Sequence, residues 1–432
     1  MSTADSYLAS EIQEKRKMLQ KFWNGRVVKF NERSIMELRD LMLRIHFPCD
    51  PQYNKKITQL FDDVINRKTD FEKFFEVLQH HPLALIHFTY EHENLFAQKP
   101  EIKANDIEDI NQYMSDKKMS AVIALGNAQD KSLVTLASIG NKTSDIFCIF
   151  SVGKIFTCML LFKMLDEKII TENDLNNPAQ LDEKIIKALP KKIQEHLREV
   201  TLSQLIAHQS GIGYCRDKYY TDIEYRVKNN LPQITNINYL LQFIEEEVGK
   251  NVNYSDGEML LIGFAIECMY ENKFGKHLDY KELLQKYIID KAGMASFATM
   301  MPENTKLHQV KLNLADTIIT PNLIGSPAGS GMWVTVEDLA KFGQWIYGEY
   351  SKSNSKLEDF LKKYAGRNFY FPESKSFGYI AMNISATAFF SIFLNTGAFV
   401  ATLSNQPDMA ADLALMVIDK NFQKLEHLRI WG

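Results

Sequence analysis

The sequence predicts an α+β fold: one antiparallel β-sheet flanked by helices, with a helical subdomain inserted between its strands, preceded by an all-α N-terminal region. Three observations predict it. Strand-like runs gather in two places far apart in the chain, around 120–138 and around 378–405. Helical periodicity fills most of what lies between them. The residues before 106 read mostly as helices.

At the N-terminus, "SYLASEIQEKRKMLQKFW", "SIMELRDLMLRIHF" and "DFEKFFEVLQHH" place apolar residues near helical spacing, and Pro48, Pro51 and Pro82 punctuate them. His80 and His81 read as surface residues. The chain therefore divides into a helical extension or domain over 1–105 and a second domain over 106–432. The second domain opens with "SAVIALGN" and "SLVTLASIGN" on either side of "AQDK", which reads as a hairpin. Helical periodicity follows Ser151, and 171–247 reads as helices and loops. "GSPAGSGM" is a loop, and "TVEDLAKFGQWIYGEY" is a helix capped by Thr335 with acidic residues in its first turn. "GYIAMNI", "AFFSIFLNTG" and "FVATLSN" read as a three-stranded meander, and "DMAADLALMVIDKNFQKL" as a closing helix. Joining the early hairpin to the late meander buries both in one sheet.

Composition narrows the function classes. The chain has 432 residues, 45% hydrophobic and 24% charged, with a formal net charge of −4. That is enough to bury a large core, and it offers no general attraction for nucleic acid or anionic membrane. No basic arm, zinc-finger spacing or RNP-like motif is present. The five cysteines, at 49, 148, 158, 215 and 268, are odd in number and widely spaced, as expected of reduced core thiols. The N-terminal "MSTADSYLASEIQEKRKMLQ" lacks the apolar stretch of a Sec signal peptide, and "MLLIGFAIECMY" is too short to span a bilayer and carries Glu267. The expectation is a protein without a membrane span, cytoplasmic or exported without a Sec signal. The ten histidines form no HxH or HExxH, and no P-loop or dinucleotide fingerprint occurs. No metal and no cofactor are expected.

The chemistry starts from "FCIFSVGKIFTCMLLF", an apolar run with one ammonium, Lys154, three residues after Ser151. On a helix, residues three apart share a face, so Oγ and Nζ come together. A serine hydroxyl needs a base to become a nucleophile, and apolar surroundings disfavour the charged form of a lysine. The spacing alone is weak. It recurs at Ser115 and Ser353 in polar surroundings, where a solvated lysine is the plain reading. Two later segments add to it. "NYSDGEMLLIGFAIE" sets Tyr254, Ser255 and Asp256 before an apolar helix, and a phenol near an amine can relay protons. "FLNTGAFVATL" sets Asn395, Thr396 and Gly397 at a strand end, where a small residue lets a substrate backbone approach. The N–H groups of Ser151 and Ala398 would then form an oxyanion hole. Taken singly, Tyr254 is a core aromatic and Gly397 a bulge.

Together these segments resemble the serine β-lactamase and penicillin-binding-protein superfamily, closest in style to class C β-lactamase-related esterases and D-aminopeptidases. The resemblance runs from about Asp106 to the C-terminus. It rests, in order, on "FSVGKIFT", "VTLSQLIAHQSGI", "YSDGEMLLIGFAIE", "YIIDKAGMASF", "PAGSGMWVTVEDLAKF", "FGYI" and "NTGAF". It implies a β-lactamase/transpeptidase-like fold over 106–432. It implies Ser151 as nucleophile through an acyl-enzyme, Lys154 and Tyr254 as proton relays, and the N–H groups of Ser151 and Ala398 as oxyanion donors. Asp256, Asn395, Thr396 and Gly397 would bind substrate, and His208 would be structural.

Two positions depart from the family pattern. Asp256 stands where asparagine is usual, and an ionised aspartate beside Lys154 favours the charged lysine. Asn395 stands where lysine or histidine is usual, which weakens recognition of a substrate carboxylate. The leading expectation is a serine hydrolase or acyl transferase acting on an ester or amide, with a small-molecule or peptide-like acyl substrate. The alternatives are a β-lactamase or D-peptidase proper, and a non-catalytic binding or assembly scaffold. The N-terminal helices are a candidate surface for a protein partner.

Overall fold

The computed structural model describes residues 51–66, 68–78, 110–112, 114–115, 120–138, 140–215, 218–219, 221–222, 225–226, 229, 231, 237–249, 254–299, 312–314, 317–319, 328–365, 369–372, 375–383 and 386–404, together with Arg16 and Arg39. Its centre is a six-stranded sheet built from two stretches far apart in the chain. The strands are β1 (Ala121–Asn127), β2 (Ser132–Ala137), β3 (Tyr370–Phe371), β4 (Ser376–Asn383), β5 (Ala386–Phe393) and β6 (Ala398–Ser404). Their order is β2-β1-β6-β5-β4-β3, and every neighbouring pair is antiparallel. The early hairpin and the late meander thus meet along β1 and β6, with Val122 opposite Leu403 and Asn127 opposite Ala398.

Alternation along the strands divides the sheet into two faces. Val122, Ala124, Phe390, Ile392, Phe399 and Ala401 point into the main hydrophobic core. Ile123, Leu125, Phe389 and Val400 are also buried, outside that core. The central strands therefore read as continuous apolar runs, because both of their faces are covered.

Three helices carry the core. α3 (Gly153–Asp166) is buried almost all round, and α4 (Asp256–Phe274) along most of its length. Such helices are interior elements and show no polar stripe. The ring of Phe156 in α3 stacks on Phe342 of α5 (Val336–Tyr350), with centroids 3.8 Å apart. α4 starts where Ser255 accepts a hydrogen bond from the Gly257 N–H (3.1 Å) and ends at Gly275, whose φ of +64° makes a left-handed C-cap. α5 starts at Thr335, whose hydroxyl accepts from the Asp338 N–H (3.1 Å), the cap read from the sequence.

Between α3 and α4, the described residues include the short helices Glu172–Asn176, Glu183–Ala188, Lys191–His196 and Leu202–Ile206. After them, a small hairpin pairs Ile212–Tyr214 with Ile244–Val248. The periodicity announces the helices but not the hairpin, because the strand "IEEEV" carries three exposed glutamates. In the N-terminal region, α1 (Pro51–Ile65) and α2 (Phe71–Leu78) pack through Phe61 edge-on to Phe74, with centroids 5.4 Å apart. Pro51, read from the sequence as punctuation, is the first residue of α1, a place where its missing N–H costs nothing. Most of the earlier helices, the boundary near 105 and the closing helix after Asp408 lie outside the described residues. Among the described residues no helix is long and apolar enough to cross a membrane.

Candidate active site

Ser151 sits in a 3₁₀ turn, Phe150–Val152, that leads directly into α3. The turn is held from outside. The short strand Phe147–Cys148 pairs with Trp333–Val334, and the Ile149 N–H bonds the Met332 carbonyl at 2.9 Å. Phe150 adopts φ +42°, a left-handed conformation that a side chain of its size avoids, so the turn holds its shape against local preference. Ser151 is half-buried, while Lys154 one turn later is wholly buried.

The i, i+3 spacing brings Lys154 Nζ to 2.9 Å from Ser151 Oγ. Nζ also donates to Asp256 Oδ1 (2.6 Å) and to the Gly329 carbonyl (3.0 Å). These three contacts come from three parts of the chain: the nucleophile turn, the first residue of α4, and the loop before α5. Tyr254, immediately before α4, places its hydroxyl in hydrogen-bonding contact with Ser151 Oγ and donates to Asp256 Oδ1 at 3.3 Å. Lys154 Nζ also lies 4.6 Å from the centre of the Tyr254 ring, within cation–π range. Gly329 is tightly placed, since a Cβ there would stand 3.2 Å from Met259 Cβ.

Behind Tyr254 lies a second polar group, in which Glu258 links His208, expected to be structural, to Ser210; the sequence reading did not single out Glu258 or Ser210. The His208 ring is tilted against the Tyr254 ring with centroids 4.9 Å apart, and His208 Nδ1 is 2.5 Å from Glu258 Oε2. Glu258 is fully buried in α4, and it also accepts from the N–H (3.0 Å) and hydroxyl (2.5 Å) of Ser210. His208 is thus held in place behind the phenol and makes no contact with Ser151 recorded in the structure. The signal for Glu258 was a lone acidic residue inside an apolar helix.

The structure brings Ser151, Lys154, Tyr254 and Asp256 together. It does not bring Asn395, Thr396, Gly397 and Ala398 to them. Those four form the turn between β5 and β6 and the start of β6. The Gly397 N–H bonds the Phe393 carbonyl (2.7 Å), and Asn127 Nδ2 and the Ala128 N–H bond the carbonyls of Thr396 (3.0 Å) and Gly397 (2.7 Å). The Ala398 N–H points to the Thr396 hydroxyl at 3.3 Å. This turn packs on Tyr347, eleven residues along α5 from Val336, whereas the serine turn is pinned at Met332, just before that helix. At about 1.5 Å per residue, the two ends are separated by roughly 16 Å of helix. Gly397 has φ +73°, and a Cβ there would crowd the Gln129 N–H, so its glycine answers to the turn. The neutral residue at 395 accordingly bears on this turn and says nothing about a substrate carboxylate.

The strand that meets the serine is β4. The 3₁₀ turn packs on it, and the Tyr379 ring lies parallel to the Tyr254 ring, with centroids 6.3 Å apart. The Leu394 N–H bonds the Lys375 carbonyl (2.8 Å), so Lys375 faces β5. Alternation then turns Ser376, Gly378 and Ile380 toward the outer edge, where, among the described residues, β3 pairs with β4 at Ser376 and Phe377 alone. Among the described residues no three His, Cys, Asp or Glu side chains gather as metal ligands.

Comparison with known proteins fits this architecture. A sequence model of the β-lactamase family matches residues 108–414. No curated protein matches the chain by sequence. Among solved structures, a D-stereospecific amidohydrolase from Streptomyces sp. superposes with a TM-score of 0.57 at 15% identity, covering 74% of this chain and 99% of its own. An octameric penicillin-binding protein homologue from Pyrococcus abyssi gives 0.54 at 17%, covering 74% and 77%. A class C β-lactamase gives 0.54 at 13%, covering 74% and 96%. At these identities the likeness is one of fold.

Proposed function

The chain belongs to the β-lactamase family, and on that premise we propose that it is a serine hydrolase or acyl transferase that forms an acyl-enzyme at Ser151 on an ester or amide substrate. One observation carries the reading: Ser151 Oγ lies within hydrogen-bonding distance of both Lys154 Nζ and the Tyr254 hydroxyl, where two buried core helices begin. A hydroxyl placed between an amine and a phenol has a route for its proton, which is what nucleophilic attack requires. Ser151 attacks the acyl carbon, Lys154 and Tyr254 manage the proton and the developing charge, and the leaving group departs protonated. Water or a second acceptor then releases the acyl group.

An oxyanion needs two aligned N–H donors. The Ser151 N–H is one. The second is assigned to the edge of β4, at Gly378 or Ile380, because those residues face away from β5 on the strand that the serine turn packs against. The test is turnover of p-nitrophenyl esters, D- and L-aminoacyl p-nitroanilides and a chromogenic cephalosporin by wild type and Ser151→Ala. Hydrolysis that disappears in the variant supports the reading and names the substrate class. Hydrolysis that survives Ser151→Ala contradicts it.

A further inference from the structure

We propose that Asp256 is the final acceptor of the Ser151 proton, with Tyr254 as the relay and Lys154 held as an ammonium. The inference rests on the acyl-enzyme reading above and assigns the base within it. Lys154 Nζ donates to Ser151 Oγ (2.9 Å), Asp256 Oδ1 (2.6 Å) and the Gly329 carbonyl (3.0 Å). An ammonium, with three N–H donors, can serve all three of these oxygens, whereas a neutral amine has only two. The carboxylate is 2.6 Å from an amine that is wholly shielded from solvent. Leaving that carboxylate beside a neutral amine would strand a nearly buried charge, which costs more than keeping the pair. The Tyr254 ring face beside Nζ favours the cation as well. A lysine in that state donates to Ser151 and has no lone pair with which to take its proton.

The remaining hydrogen bonds give the proton another path. Ser151 Oγ touches the Tyr254 hydroxyl, and Tyr254 donates to Asp256 Oδ1 at 3.3 Å. As the bond from Oγ to the acyl carbon forms, the serine proton passes to the Tyr254 oxygen and the tyrosine proton passes to Asp256. The carbonyl electron pair moves onto oxygen. When the tetrahedral species collapses, the bond to the leaving group breaks, that group takes a proton back from Tyr254, and Tyr254 recovers one from Asp256. The carboxylate is restored and no co-reactant is needed. Among the described groups that face this circuit are Lys154 from α3, the Gly329 carbonyl before α5, the Tyr379 ring from β4, and the His208–Glu258 pair behind Tyr254.

The test is the rate at which a fluorophosphonate labels the full-length protein, read by intact mass from pH 5 to pH 9, for wild type, Asp256→Asn and Asp256→Ala with and without added formate. Asp256→Asn is expected to label about 100-fold more slowly at pH 7 and to gain rate only in alkali. Formate is expected to raise the Asp256→Ala rate in proportion to its concentration. An Asp256→Asn that labels as fast as wild type or faster at pH 7 overturns the inference, because it would show that the carboxylate restrains Lys154 as the base. Formate without effect on a folded, slow Asp256→Ala overturns it too. A folded wild type that takes no label refutes the serine-nucleophile reading itself, and this assignment with it. A labelled wild type with an unimpaired Asp256→Asn refutes only the role of Asp256.

Discussion

Asp338→Asn tests how the nucleophile turn is held. Asp338 is the third residue of α5 and its side chain is 2% exposed. Oδ2 accepts from the Ala295 N–H (2.9 Å), the Ser296 N–H (2.6 Å) and the Ser296 hydroxyl (2.5 Å), and Oδ1 accepts from Lys341 (2.7 Å). These bonds fasten the 295–298 segment, and Ala298 exchanges both backbone hydrogen bonds with Trp333 (3.0 and 2.8 Å). Trp333 in turn pairs with Cys148, three residues before Ser151. Burial alone would raise the Asp338 carboxyl, but hydrogen bonds from Lys341 and Ser296 outweigh it and hold the group below the usual carboxylate range.

An asparagine keeps one acceptor and turns an NH₂ toward one set of donors. Hydrogen bonds to a charged group contribute roughly 1.5–3 kcal/mol each and neutral ones about 1, so weakening three and losing one costs about 3 kcal/mol, or roughly 3–4 °C in Tm for a chain of this length. The folded carboxyl titrates below its unfolded value of 3.8. Its contribution is therefore complete above that pH and is lost as pH falls through the lower, folded value. The assay is urea unfolding of wild type and variant between pH 7 and pH 3. The expected gap is constant from pH 7 to pH 5 and narrows below about pH 4. A gap under about 1 kcal/mol at pH 7, or one that widens as pH falls toward 4, would refute the reasoning.

Gly397→Ala forces a Cβ to φ +73° and to 3.1 Å from the Gln129 nitrogen, so it should cost about 1–3 kcal/mol in urea unfolding. The same variant, assayed while folded, should leave the Ser151 labelling rate within twofold, as the remote position of this turn requires; a large loss of labelling would place the turn at the site after all. Burial pushes the Cys148 thiol up to about 12 and raises Cys158 as well, whereas Cys215 and Cys268 are half-buried. At pH 8, iodoacetamide should reach Cys148 and Cys158 only after denaturation, because the thiolate is the reacting form. Peptide mapping that finds either modified as quickly as Cys215 in the native protein would contradict that environment.

Much of the fold was legible because it is local. "SAVIALGN" and "SLVTLASIGN" carry their hairpin in their own alternation, and both strands form as read. The three late strands form as well, the second ending at Phe393 so that 394–397, read as part of it, are a turn, and Thr335 caps its helix. Ser151 and Lys154 meet because three-residue spacing on a helix is geometry. Tyr254 joins them because α4 begins at the next residue but one, Asp256.

What stayed hidden depends on contacts distant in the chain. Each strand of the meander reads alike, and only packing of the serine turn decides that β4 is the edge it meets and that the Gly397 turn is not. Asp256 could be read as a carboxylate placed beside Lys154, but not as one whose same oxygen also faces Tyr254. Glu258 could be seen as a buried acid, yet its partners His208 and Ser210 lie about fifty residues earlier, beyond the reach of helical periodicity.

The central claim is that Ser151 is an activated nucleophile. The most direct measurement is intact mass of the full-length protein after incubation with a fluorophosphonate, wild type beside Ser151→Ala, with the modified residue located by peptide mapping. The account predicts one adduct on wild type, on Ser151, and none on the variant. No adduct on a folded wild type, or an adduct of equal yield on Ser151→Ala, would contradict it.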